Sequence, residues 1–132
     1  DMLKNMIDYR GKPSKAFIRS GTFWKKHFND ELDFTWYTSN AATRKPEVRD
    51  MKIYNVGGRT QKNILDKLSM RVPERNRNPP RENKDAWAYW KKVREFDDFL
   101  QKCLIIDPEK RLTPEQALHH EFIHSPWPGT KK

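Results

Sequence analysis

The chain has 132 residues, with 27 Lys and Arg against 18 Asp and Glu, a formal charge of +9. Its apolar share of 35% lies well under the roughly 45–50% of ordinary globular domains, so the chain is either largely irregular or buries its apolar faces against something else. No apolar run approaches the ~20 residues a membrane span needs, no secretory signal is expected, and one cysteine, Cys103, excludes a disulfide scaffold and a Cys-rich zinc module. A lone cysteine fits a reducing compartment.

In chain order, Met2, Leu3, Met6 and Ile7 predict one helical face over residues 1–9, stopped by Gly11 and Pro13. Residues 14–38 are dense in aromatics, from Phe17 to Tyr37. These can stack on bases, but such rings more often pack into a core. Asn29-Asp30 signals a turn, and Leu32, Phe34 and Trp36 alternate with polar residues as in a short strand. Residues 41–47 read as loop, with a second extended piece from Met51 to Ile53 or Tyr54. Gly57-Gly58 breaks the chain, and Ile64, Leu65 and Leu68 predict a helix near 60–69.

The charge excess sits in the middle: residues 51–95 carry 12 basic and 5 acidic groups, net +7. Arg71, Arg75, Arg77, Arg81 and Lys84 can attract phosphate, but with Pro79-Pro80 among them the stretch reads as a solvated, flexible connection. Phe96, Phe99, Leu100, Cys103 and Leu104 follow at i, i+3, i+4, i+7 and i+8, a continuous helical stripe that Trp87, Trp90 and Val93 extend upstream. Asp97-Asp98 is read as the start of this helix, and Asp107-Pro108 as its end. Thr113-Pro114-Glu115-Gln116 predicts a capped second helix, with Ala117, Leu118 and Phe122 on its buried side.

Residue chemistry yields no catalytic constellation. The five glycines form no phosphate-cradling motif. His120 and His124 share a zinc-like spacing but lack a third ligand. Cys103 reads as a small buried hydrophobe. No metal, cofactor-binding or catalytic residue is expected in this chain.

The segment Ile106-Asp107-Pro108-Glu109-Lys110-Arg111-Leu112-Thr113, followed by Ala117-Leu118-His119-His120-Glu121-Phe122, resembles the C-terminal end of a eukaryotic protein kinase domain. Upstream, Arg10-Gly11-Lys12, Phe17-Ile18-Arg19-Ser20-Gly21 and the Phe23-to-Phe28 step resemble the CMGC group, specifically its spliceosome-associated pre-mRNA-processing-four kinases. The likeness is patchy over 38–56 and 71–90.

The resemblance implies a mainly α portion of a kinase C-lobe, with the G helix, the CMGC insert over roughly 13–84, the H and I helices, and long irregular loops. Residues 1–123 would be kinase domain and 124–132 a tail. It implies a parent Ser/Thr kinase using ATP and Mg, acting on protein substrates and splicing factors in the nucleus. The Gly-rich loop, ATP-pairing Lys, catalytic-loop Asp and DFG Asp all precede this stretch in such kinases. The fragment alone is therefore expected to be inactive and to bind neither cofactor. A non-catalytic interaction module and a basic RNA-binding segment are the alternatives. Arg111, Asp107, Pro108 and Thr113 are the structural residues the resemblance marks, with Arg111 paired in the family to the Glu of an APE motif.

Overall fold

The computed structural model describes residues 2–51 and 62–129, with residues 49–51 as backbone alone. The chain divides into two compact units, Asp1–Gln61 and Lys62–Lys132. As expected, the described residues are mainly helical, with two strands among them.

In the first unit, α1 spans Met2–Arg10. It ends where Gly11 takes a left-handed φ of 79° and its amide donates to the Ile7 carbonyl at 2.7 Å, a conformation glycine adopts without steric cost. A short helix not evident from the sequence, α2, covers Lys15–Ser20, with the Ser14 hydroxyl accepting from the Phe17 amide at its N-terminus. A 3-10 turn follows at Trp24–Lys26.

The expected turn forms at Asn29, whose side-chain oxygen accepts from the Asp33 amide at 2.8 Å. That bond holds Leu32 at a φ of 64°, so Leu32 belongs to the turn and the strand begins two residues later. Strand β1, Phe34–Ser39, pairs antiparallel with β2, Pro46–Met51, in a register running from Phe34 opposite Met51 to Ser39 opposite Pro46. The second extended piece thus starts five residues earlier than expected. Asn40 is the reason: its side chain accepts from the Ala42 and Thr43 amides and closes the hairpin within residues 40–45. Pro46 occupies the strand end, where its missing donor costs little. Ile53, Tyr54 and Gly57-Gly58 lie outside the described residues.

Ile7, Ile18, Phe28, Leu32 and Phe34 form the core of this unit, with Leu3, Trp24 and Trp36 packed against it. Phe28 meets Phe34 edge-on at 5.8 Å, and Phe34 stacks on Trp36 at 6.0 Å. Packing therefore claims part of the aromatic cluster, while Phe23 and Tyr37 remain exposed.

In the second unit, α3 spans Ile64–Ser69, capped by Asn63. The Pro- and Arg-rich stretch after it is more than a solvated connection. Val72 and Pro79 are buried, and the Arg77 guanidinium donates to the carbonyls of Val72 at 2.7 Å and Met70 at 3.3 Å. Arg81 lies 5.4 Å from the centre of the Trp87 ring.

Helix α4 runs from Lys84 to Cys103 with Asn83 as its cap. Asp97-Asp98 consequently lies in its last third rather than at its start, since Asn83 and the apolar positions Ala86, Trp90 and Val93 carry the helix further upstream. The helix also closes before Asp107-Pro108, with Leu104 as its C-cap. Cys103 is half-buried.

The final helix of the sequence reading is two short ones, α5 at Pro114–Leu118 and α6 at Glu121–His124, because His120 leaves helical geometry to cap α6. Leu118 is left exposed, not buried as expected. Among the described residues, no helix is long and apolar enough to cross a membrane.

Candidate functional site

The densest polar chemistry lies along α4. A lysine amid an apolar helix face is costly to bury unless its ammonium is fully bonded, and Lys92 is only 4% exposed. Its Nζ donates to the Phe122 carbonyl at 2.6 Å, the Ser125 carbonyl at 2.6 Å and the Ser125 hydroxyl at 2.7 Å. Those three acceptors use all three ammonium donors.

Glu95, one turn on and also buried, lies 3.4 Å from the same nitrogen and accepts a hydrogen bond from the Ser125 hydroxyl. The rings of Phe122 and Trp127 lie 5.0 and 5.2 Å from the ammonium. Burial pushes the Glu95 carboxyl up, but the hydrogen bond from the Ser125 hydroxyl, the close Lys92 ammonium and the Lys91 charge outweigh it and hold it below the ordinary glutamate value. Lys91 adds a contact of 3.4 Å to Glu121 on α6.

A mostly apolar cleft of about 280 Å³ opens beside Lys92, lined by Leu68, Val72, Val93, Phe96, Phe122 and Trp127 among others. Lys92 and Ser125 are 33 residues apart, and no local pattern announces their meeting. Residues 124–129, read as a tail, are thus tied to α4 through Ser125 and Trp127.

A second cluster joins α4 to the cap of α6. The His120 Nδ1 accepts from the Phe122 amide at 3.1 Å, which places the imidazole proton on Nε2, where it is donated to Asp98 at 2.9 Å. Lys102 donates to the same Asp98 oxygen at 2.6 Å. The Lys102 hydrogen bond, against some desolvation and with help from His120, holds Asp98 below the ordinary aspartate value. Asp98 therefore acts as a clasp partner rather than a helix-start charge. Both ring nitrogens of His120 are engaged, and His124 stacks on His119 instead. Among the described residues, no group of three His, Cys, Asp or Glu side chains could hold a metal.

The marked structural residues lie between α4 and α5. Thr113 and Gln116 form a reciprocal capping box: the Gln116 amide donates to the Thr113 hydroxyl at 3.2 Å, and the Thr113 amide to the Gln116 side-chain oxygen at 3.0 Å. Pro114 takes the first helical position. The Asp107 carboxylate accepts from the Glu109 amide across Pro108 at 3.1 Å, while its carbonyl accepts from the Lys110 and Arg111 amides.

Arg111 donates from Nε to the Ile105 carbonyl at 2.7 Å and from Nη2 to the Ile106 carbonyl at 2.9 Å. The side chain is exposed. Two of its five donors are used in these bonds, leaving the Nη1–Nη2 edge able to donate to a carboxylate. The arrangement fixes a guanidinium and several chain turns. It does not juxtapose a nucleophile, a base and an orienting group of the kind covalent catalysis uses.

Comparison with known proteins defines the class. The chain is homologous to the C-terminal portions of serine/threonine protein kinases of the CMGC group. Within that class, the Prp4 kinases are among its relatives. It is 31% identical over 125 residues to the serine/threonine-protein kinase prpf4B of Dictyostelium discoideum, covering 93% of this chain and 13% of the relative. It is 26% identical over 122 residues to the serine/threonine-protein kinase prp4 of Schizosaccharomyces pombe, covering 92% of this chain and 22% of the relative. It is also 26% identical over 123 residues to homeodomain-interacting protein kinase 1 of Mus musculus, covering 93% of this chain and 10% of the relative. The chain therefore spans less than a quarter of the length of these relatives. No family model matches it.

Proposed function

We propose that this chain is the lower, structural part of a protein kinase that transfers the γ-phosphoryl group of ATP to Ser or Thr hydroxyls on proteins of the pre-mRNA splicing machinery in the nucleus. The supporting observation is similarity to kinases across more than nine-tenths of the chain. In this reading residues 1–123 belong to the kinase domain, with the group's insert over roughly 13–84, and 124–132 follow it.

Phosphoryl transfer is positioning and electrostatics performed by a Gly-rich loop, a lysine, metal-holding acids and a catalytic aspartate. The 132 residues contain none of those motifs. ATP and Mg would be held by other parts of the parent protein, and the chain alone transfers no phosphate. Its own residues supply rigidity. The Lys92–Glu95–Ser125 anchor and the Thr113 capping box hold α4, α5 and α6, and the Asp107–Pro108 turn presents Arg111. The open edge of Arg111 then takes a glutamate from beneath the activation segment.

The test is incubation of the full gene product with γ-labelled ATP, Mg and a splicing-factor substrate rich in Ser and Thr, followed by phosphoamino-acid analysis. Label on phosphoserine or phosphothreonine is expected. A folded full-length product that transfers none overturns the proposal.

A further inference from the structure

Residues 9–29 of the first unit hold six Lys and Arg and no carboxylate. Only part of that charge is spent within the fold: Lys12 pairs with Asp33 at 2.9 Å. Lys15, Arg19, Lys25 and Lys26 are all exposed, on α2 and the 3-10 turn after it. Among them project aromatic rings. Phe23 is 63% exposed and Phe17 37%, while Trp24 is anchored on one side against the core. The Lys26 ammonium sits 4.7 Å from the centre of the Phe23 ring, and the Lys25 ammonium 5.7 Å from that of Trp24.

We propose that this face, centred on Phe23, Lys25 and Lys26, binds single-stranded nucleic acid. With the Lys26 ammonium over one face of the Phe23 ring, the remaining exposed ring surface offers a base a stacking partner and the lysines offer its phosphate a counter-charge, the pairing that sequence-tolerant single-strand binders use. The rings stand on a turn rather than in a groove. An acidic peptide would satisfy the lysines but leave the Phe23 face largely wet, whereas an unstacked base covers it. The site lies within residues 13–84, the stretch read as the group's insert, but its test is separate from that reading, because it measures nucleic-acid binding and not phosphoryl transfer.

The experiment is fluorescence anisotropy of a labelled 12-nucleotide oligouridylate titrated with the 132-residue chain at 10 °C over a series of salt concentrations. Saturable binding is expected. Phe23→Ala weakens it by roughly 5- to 150-fold, the equivalent of one lost base stack, and Phe23→Tyr restores it. Lys25→Gln with Lys26→Gln lowers the slope of log affinity against log salt by about 1.4, at ~0.7 per phosphate contact on a single strand.

Because Phe23 lies outside the core, circular dichroism of Phe23→Ala should match that of the parent chain. Absence of binding at low salt overturns the proposal. So does an unchanged affinity in Phe23→Ala, equal affinity for a duplex of the same length, or equal competition by polyglutamate.

Discussion

Replacing Lys92 by alanine separates a buried anchor from surface decoration. The change removes the partner of three oxygens at 2.6–2.7 Å and leaves Glu95, itself 9% exposed, without its nearest cation. Breaking one side of a buried pair costs about 3–5 kcal/mol. In a unit of this size each kcal/mol shifts the melting temperature by about 4–8 °C, so global coupling would lower it by roughly 12–40 °C.

The loss is capped by an escape: α6 and Ser125 can detach and let water reach Glu95. The lower end of that range is therefore expected, with local opening. Hydrogen exchange read at residues 121–128 reports the opening, because the Ser125 amide is normally held on the Glu121 carbonyl at 2.7 Å. The double variant Lys92→Met with Glu95→Gln should cost less than the sum of its two single changes, since it removes both charges together. If Lys92→Ala alters stability by under ~0.5 kcal/mol and leaves exchange at 121–128 unchanged, the anchor does not exist as described.

Further outcomes follow from the same geometry. Glu95 is held below its ordinary value of 4.5 in the folded chain. Its contribution to stability is full above that pH and is lost as pH falls through the lowered folded value. Acid titration followed by Trp127 fluorescence should report release of the C-terminal segment, and Glu95→Gln should blunt that dependence. Thr113→Ala removes the capping box and should cost about 1 kcal/mol, measured by urea denaturation. Arg111→Ala should change the melting temperature of this chain little, because the side chain is exposed, yet destabilise the full kinase by about 3–5 kcal/mol if a buried glutamate partner forms there. Calorimetry of both proteins distinguishes the cases, and equal effects would refute the role. The chain alone should melt broadly at modest temperature, with Leu104, Leu118 and Ile123 all about half exposed or more. A sharp transition at high temperature in calorimetry would contradict that.

What was legible in the sequence was local. The periodicity of Trp90, Val93, Phe96, Leu100 and Cys103 announces α4, and Thr113 through Gln116 announces the cap of α5, because both depend on residues within a turn or two of each other. The Asn29 turn is legible for the same reason. The strand start at Pro46 is not legible locally because Asn40 sets the hairpin from six residues away. The break at His120 is not legible either, because its imidazole forms a cap and an Asp98 contact from α4. The place of Asp98 late in α4 is hidden in the sequence because the helix start, Asn83, has no strong apolar signal beside it. The Lys92 anchor spans 30 to 33 residues, and nothing local to Lys92 names the distant oxygens that let its ammonium be buried.

The central claim is that these helices are one portion of a phosphotransferase whose chemistry resides elsewhere in the same polypeptide. Sequencing the full transcript on the 5′ side of the codon for Asp1 tests it most directly. An uninterrupted reading frame encoding HRD, DFG and APE motifs in that order is the expected result. A frame that carries none of the three would contradict the account.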